Sequence, residues 1–231
     1  MCGRFALTHT TQELADLFAA DVVATPLAPR YNIAPTQPVA VLVQRHERAL
    51  ELHRWGLVPP WSKGPDKGPP LFNARAETLA GRPAFRQALR HRRCLIPASG
   101  FYEWRLVGRQ RLPLYIAPAD ARPLAFAGLW ETWHDPQGQA LHSCTIVTVP
   151  ANAALAPVHD RMPALLAPAA AEQWLAADRP ESAAALLTPW ASDDLVLRPV
   201  SLRVNHVGHD APDCLDPLPL PAVAAAPGRL F

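Results

Sequence analysis

Cysteine is scarce in this sequence, and its four copies, Cys2, Cys94, Cys144 and Cys214, stand far apart with no Cys-x-x-Cys pair. That spacing excludes a zinc framework and a disulfide-stapled fold. Cys94 and Cys144 lie in apolar runs and read as small core residues. Lysine is scarcer still, with only Lys63 and Lys67. No apolar run reaches the 18 or so residues that would span a bilayer. Met1-Cys2-Gly3-Arg4-Phe5 has no signal-peptide apolar core. A reducing cytosol is the simplest compartment, and it would keep Cys2 a thiol. No phosphate-binding glycine loop, His-Glu-x-x-His or Gly-x-Ser-x-Gly occurs, so nucleotide hydrolysis, metalloprotease and α/β-hydrolase chemistries lack support. Nothing calls for a metal or a cofactor.

What is present fits one α+β domain. The chain has 231 residues, 49% of them hydrophobic, enough for a substantial core. Thr10-Thr11-Gln12-Glu13 reads as a capping box, with Leu14, Leu17 and Phe18 on one helical face. A Pro-containing loop covers 24–38. Val39–Gln44 and Ala49–Trp55 read as paired strands, and 58–70 as an ordered loop or flap. Pro83–Arg90 forms a short helix with Phe85 and Leu89 on one side. Strands follow at Cys94–Ala98, Phe101–Leu106, Pro113–Ile116, Leu124–Trp130 and Ser143–Val149, the last two joined by a turn at Asp135-Pro136-Gln137-Gly138. Short helices at Ala169–Ala177 and Ser182–Leu187 and a strand at Pro199–Val204 complete the domain, which is expected to span 1–208. Residues 209–231 include a Pro- and Ala-rich stretch and are expected to form a disordered tail.

Net charge is only +2 but unevenly placed. Residues 82–111 hold eight arginines and one acid, Glu103, whereas 172–216 hold eight acids and three arginines. The basic segment suits a polyanion, with arginine adapted to bidentate phosphate contacts. Salt bridges to the acidic half explain the pattern equally well.

The residue with the most chemistry is Cys2. Trimming of Met1 leaves a free α-amine two carbons from the thiol. Model groups of these kinds titrate near 7.7–8.0 and 8.5, so reactive forms of both exist at neutral pH. Such a pair condenses with an aldehyde to an imine and then closes a thiazolidine ring. A frayed terminus is the plain alternative. Glu103 lies in Gly100-Phe101-Tyr102-Glu103-Trp104, where extended geometry puts Phe101 and Glu103 on one face and Tyr102 and Trp104 on the other. A carboxyl among aromatics loses hydration, its pKa rises, and it becomes a proton shuttle; an ion pair with Arg105 or Arg92 is the alternative. His159, in His159-Asp160-Arg161-Met162-Pro163, sits where Pro163 disfavours helix, in a loop that presents polar groups. Asn73 and Arg75 follow the flap, either as orienting and phosphate-binding groups or as a helix start with a capping Asn. Of the two Trp residues around 55–61, Trp55 reads as core. One exposed Trp there could stack on a base.

These stretches resemble the SRAP family (SOS-response-associated peptidase, or abasic-site processing proteins). The match runs through Met1-Cys2-Gly3-Arg4, Tyr31-Asn32-Ile33-Ala34-Pro35, Trp55-Gly56-Leu57-Val58-Pro59, Asn73-Ala74-Arg75-Ala76-Glu77, Arg93-Cys94-Leu95-Ile96-Pro97, Gly100-Phe101-Tyr102-Glu103-Trp104, Ala127-Gly128-Leu129-Trp130 and His159-Asp160-Arg161-Met162-Pro163. Each motif alone is weak; their order makes the set specific. The resemblance implies twisted mixed sheets forming a barrel-like core, short peripheral helices and a basic DNA channel. It implies Cys2 as the crosslinking residue, surrounded by Asn73, Glu103 and His159. It implies Arg4, Arg75 and Arg161 on the phosphates of single-stranded DNA, with Asn32 in the same interface and Pro35 and Trp61 packed on bases beside the lesion.

The activity it implies is a covalent, reversible crosslink to abasic sites that shields them from strand cleavage. The expected setting is a monomer in a bacterial cytoplasm, gathered at the nucleoid during DNA damage. Two rivals stand beside it: a self-processing peptidase that uses the same residues, with Cys2 as N-terminal nucleophile, and a non-covalent single-strand binder that uses Arg and Trp alone and leaves Cys2 and Glu103 without a role.

Overall fold

The computed structural model describes residues 2–218. Within them the chain forms strands β1 (Phe5–Leu7), β2 (Val22–Val23), β3 (Arg30–Ile33), β4 (Pro38–Gln44), β5 (Arg48–Trp55), β6 (Asn73–Arg75), β7 (Arg93–Ala98), β8 (Gly100–Val107), β9 (Gln110–Pro118), β10 (Leu124–His134), β11 (Ala140–Pro150), β12 (Arg161–Pro163) and β13 (Leu195–Pro199). Helices α1 (Thr11–Leu17), α2 (Pro83–His91), α3 (Pro168–Ala176) and α4 (Pro180–Ala184) are short and peripheral. No helix among the described residues is long and apolar enough to cross a membrane.

β11, β10, β7, β4 and β5 follow one another through antiparallel contacts. Four direction reversals leave β5 and β11 running the same way, so the ring can close only through a parallel seam. It does so at Ser143↔Arg54 and Cys144↔Trp55, giving a five-stranded barrel. The second sheet runs β13-β9-β8-β1-β3. Aromatic side chains dock the two. Phe5 of β1 meets Trp55 and Phe126 of the barrel at ring distances of 5.2 and 5.9 Å, and Phe101 of β8 meets Phe126 at 6.0 Å, all edge-on, the favoured geometry for such pairs. Cys94 and Cys144 are fully buried in this core. Gly128 is required there, because a Cβ would lie 2.8 Å from Cys94 Sγ.

The local readings that depended on short-range chemistry hold. Thr10 caps α1, with its hydroxyl accepting from Glu13 N–H and the Glu13 carboxylate accepting from Thr10 N–H. Leu14 and Phe18 of that face are buried, whereas Leu17 is exposed. Phe85 and Leu89 are the buried side of α2.

Three expectations need correction. The loop at 24–38 contains β3, which pairs with β1 at Phe5↔Ile33. The late strand is Leu195–Pro199, not Pro199–Val204; Ser201 Oγ accepts from Arg203 N–H and starts a 3-10 turn instead. Residues 209–218, expected in the tail, fold onto the domain. Asp210 accepts from the backbone N–H of Tyr31 and Asn32 at 2.5 and 2.9 Å and pairs with Arg30. Cys214 is buried. The rest of the expected tail, 219–231, lies outside the described residues.

Candidate functional site

Strand β11 organises one side of the site. Past the seam its two edges change partners: β6 joins one side in parallel, with Ile146↔Asn73 and Thr148↔Arg75, while β12 joins the other, with Pro150↔Arg161. Asn73 and Arg161 are thus fixed by sheet register rather than by loops. Asn73 is a strand residue, so the helix-cap alternative falls. From the second sheet, β1 and β8 pair at Phe5↔Phe101, and Tyr102 N–H donates to Arg4 O at 3.0 Å. That pairing brings Cys2 and Glu103 to the same end.

Cys2 is fully buried. Asn73 Nδ2 donates to its carbonyl at 2.7 Å. Burial raises the Cys2 thiol well above its ordinary range, and the nearby Glu103 charge raises it further. Glu103 is 4% exposed. Burial pushes its carboxyl up to about 7, and the Asp160 charge adds to the rise. The Phe101 face that Glu103 shares packs into the main core, while Tyr102 and Trp104 pack in a separate cluster with Tyr115. The alternation read from the sequence is therefore the one observed. Arg92, a possible ion-pair partner, is bound to Glu131 instead.

His159 is half-buried and stands next to β12, whose Arg161 N–H donates to His159 Nδ1 at 2.9 Å. Burial lowers its pKa below the ordinary imidazole value. Arg161 is itself buried, held by a two-pronged pair with Glu77 at 2.7 and 3.0 Å and by donation to Thr148 O at 2.6 Å. Arg4 Nη1 donates to Asn32 Oδ1 at 2.6 Å and to Val204 O at 2.7 Å, with its guanidinium 5.7 Å from the Trp104 ring. Arg75 is exposed.

Asn32 does not reach the surface. It is fully buried, and its Nδ2 donates to the carbonyls of Val204, His206 and His209. It anchors Arg4 and cannot meet a ligand directly. Pro35 is half-buried and Trp61 is 61% exposed. Trp61 and Thr36 share the lining of a cavity of about 330 Å³ with Arg54, Lys63 and Lys67. Trp55 is core, fully buried, as read.

Among the described residues, Arg4 Nε, Asn73 Oδ1 and Arg161 Nε are buried polar atoms with no hydrogen-bond partner. Each such group costs about 1–3 kcal/mol when left unmade, and the same holds of His53 Nδ1, Arg92 Nε and Thr145 Oγ1 elsewhere in the fold. Glu77 and Asp210 were not legible as site supports. Glu77 looked like the end of a motif, and Asp210 fell in the segment read as a tail. His209, Asp213 and Cys214 each bring a ligand atom within 4.8 Å of one another, but the Arg203 cation already pairs with Asp213.

The profile of the SOS response associated peptidase family matches residues 1–207. The chain belongs to the SRAP family. SRAP relatives include "Abasic site processing protein YoqW" of Bacillus subtilis, 37% identical over 94% of this chain and 99% of the relative. "Abasic site processing protein YedK" of Escherichia coli is 34% identical, covering 94% of this chain and 100% of its own length. "Abasic site processing protein HMCES" of Gallus gallus is 32% identical over 83% of this chain and 67% of its length. A solved structure from Bordetella bronchiseptica superposes with a TM-score of 0.77 at 27% identity, covering 87% of this chain and 100% of its own. One from Bacteroides thetaiotaomicron gives 0.80 at 23% identity, over 87% and 93%, and shares the fold. The SRAP fold, with its single α+β domain and closed barrel, is thus that of this chain.

Proposed function

We propose that this SRAP protein captures abasic sites in single-stranded DNA through a covalent bond to Cys2. The observation that carries the reading is a buried Glu103 with a pKa near 7 whose charge is felt by the Cys2 thiol. A carboxyl that titrates at working pH beside a sulfur and a prospective amine is a proton shuttle. The names of the relatives supply the substrate class.

Removal of Met1 frees the Cys2 amine. The open-chain sugar exposes an aldehyde at C1′, with His159, kept neutral by burial, assisting ring opening as a hydrogen-bond donor. The amine adds to C1′, and Glu103 moves protons as the carbinolamine loses water to give an imine. The raised thiol stays protonated until then, so nitrogen acts first. The sulfur then adds to the imine carbon, giving its proton to the Glu103 carboxylate while the nitrogen takes one up. The net change is one water lost and one C–N and one C–S bond formed at C1′. Ring closure removes the imine that would drive β-elimination and strand cleavage. Intramolecular attack of this kind gains effective molarities on the order of 10⁵ M or more. The same carboxyl serves the reverse reaction. Arg4, Arg75 and Arg161 hold phosphates, and Pro35 and Trp61 pack against neighbouring bases.

The test is a denaturing gel after incubation with an abasic single strand. Wild-type protein is expected to shift the oligonucleotide irreversibly under heat and denaturant, and Cys2→Ala to abolish the shift. An undiminished shift with Cys2→Ala overturns the assignment. Incubation with peptides tests the rival peptidase reading on the same sample.

A further inference from the structure

We propose that the end of the β8–β9 hairpin is a second DNA-binding element, gripping phosphates of the strand as it leaves the reactive pocket. The inference rests on the function proposed above and names a part of the interface that the pocket residues do not include.

The hairpin changes character beyond Trp104. Residues 105–111 are all exposed, although their pairing continues through Arg105↔Leu112, Leu106↔Arg111 and Val107↔Gln110. A two-stranded ribbon without a covered face is marginal on its own, and this one leaves Leu106 and Val107 at 69% and 43% exposure. It carries Arg105, Arg109 and Arg111 and no carboxylate. Among the described residues none of these three is in an ion pair. Four of the eight acids of the acidic segment, the alternative partner for this charge, are paired elsewhere: Glu172 with Arg48, Asp194 with Arg122, Asp210 with Arg30 and Asp213 with Arg203.

The placement puts this charge beside the reactive pocket. Arg105 lies two residues from Glu103 on one strand, so the two share a face and their Cα atoms are about 7 Å apart. The ribbon therefore begins about where the next phosphates beyond a captured sugar must pass. Arg105 lies on the Glu103 face, Arg111 shares the other face with Leu106 and Arg109 stands at the turn, so a strand that passes around the ribbon's end can meet all three guanidinium groups, each able to fork onto phosphate oxygens. This element adds affinity and leaves the bond-forming step to the pocket.

The test uses the full chain with Arg105, Arg109 and Arg111 all changed to Ala, and a second variant with all three changed to Lys. The probe is a long single strand bearing a tetrahydrofuran lesion, which has no aldehyde and reads binding alone. Across about 50 to 200 mM salt, the alanine variant is expected to flatten the slope of log K against log salt by about 2, from three contacts at about 0.7 each. The lysine variant is expected to keep the slope. On a three-nucleotide strand centred on the lesion, whose phosphates reach Arg105 at most, the alanine variant should lose far less than on the long strand. An unchanged slope on the long strand, or an equal loss on the short one, overturns the proposal. Crosslinking of wild type to a true abasic strand is read separately, so its failure sinks the proposed function without deciding the ribbon.

Discussion

Replacing Glu103 by Gln should make the protein slower and, above neutrality, more stable. The carboxyl rises from an ordinary 4.5 to about 7 on burial. A native pKa above the unfolded one means that the folded state holds the proton more tightly. Its contribution is intact below the unfolded value and is lost as pH climbs through the folded one. At 1.36 kcal/mol per unit, a gap of roughly 2.5 units amounts to about 3 kcal/mol, accumulated between about pH 4.5 and 7. Gln resembles the protonated carboxyl and does not titrate. Wild type and E103Q should therefore differ little in urea denaturation near pH 4.5. By pH 8 the variant should be ahead by about 3 kcal/mol. In the same pH range its crosslinking to abasic DNA should fall by about 10²–10⁴, the usual worth of a positioned proton-transfer group. Denaturation curves that stay parallel from acid to alkali would refute the burial argument, and an undiminished rate would refute the shuttle.

Arg75→Ala removes an exposed charge, so stability should hold within about 0.5 kcal/mol while the salt slope of single-strand binding drops by about 0.7; an unchanged slope excludes the contact. Trp61→Ala should weaken binding by about 1–3 kcal/mol if a base stacks there, with no shift in melting temperature. Asn32→Ala should destabilise the fold by about 1–3 kcal/mol, since it strips the Val204, His206 and His209 carbonyls of a donor and Arg4 of an acceptor; equal urea midpoints would contradict that.

Much of this was legible in the sequence because its causes are local. The capping box at Thr10, the alternation around Glu103 and the apolar sides of Phe85 and Leu89 each follow from spacing over a few residues. The exposed Trp61 and buried Trp55 follow from one lying in a Pro- and Gly-rich loop and the other ending a strand. What was not legible depends on distant partners. Strand β3 is held by Asp210, 178 residues downstream of Asn32, and its flanking prolines made it look like loop. Asn32 carries no local sign that its amide would be surrounded by carbonyls from 204–209. The barrel itself is invisible locally, because the seam that closes it joins segments with the whole of β7 to β10 between them.

The contact between Arg4 and the carbonyl of Val204 spans 200 residues. During synthesis at about 5–20 residues per second, Arg4 therefore waits on the order of 10 s or more for that carbonyl, although β1 has β3 and then β8 to pair with sooner. Arg4, among the first residues made, thus gains one of its two side-chain anchors at Asn32 and the other only from one of the last-made segments, so completion of this end of the site is timed by translation.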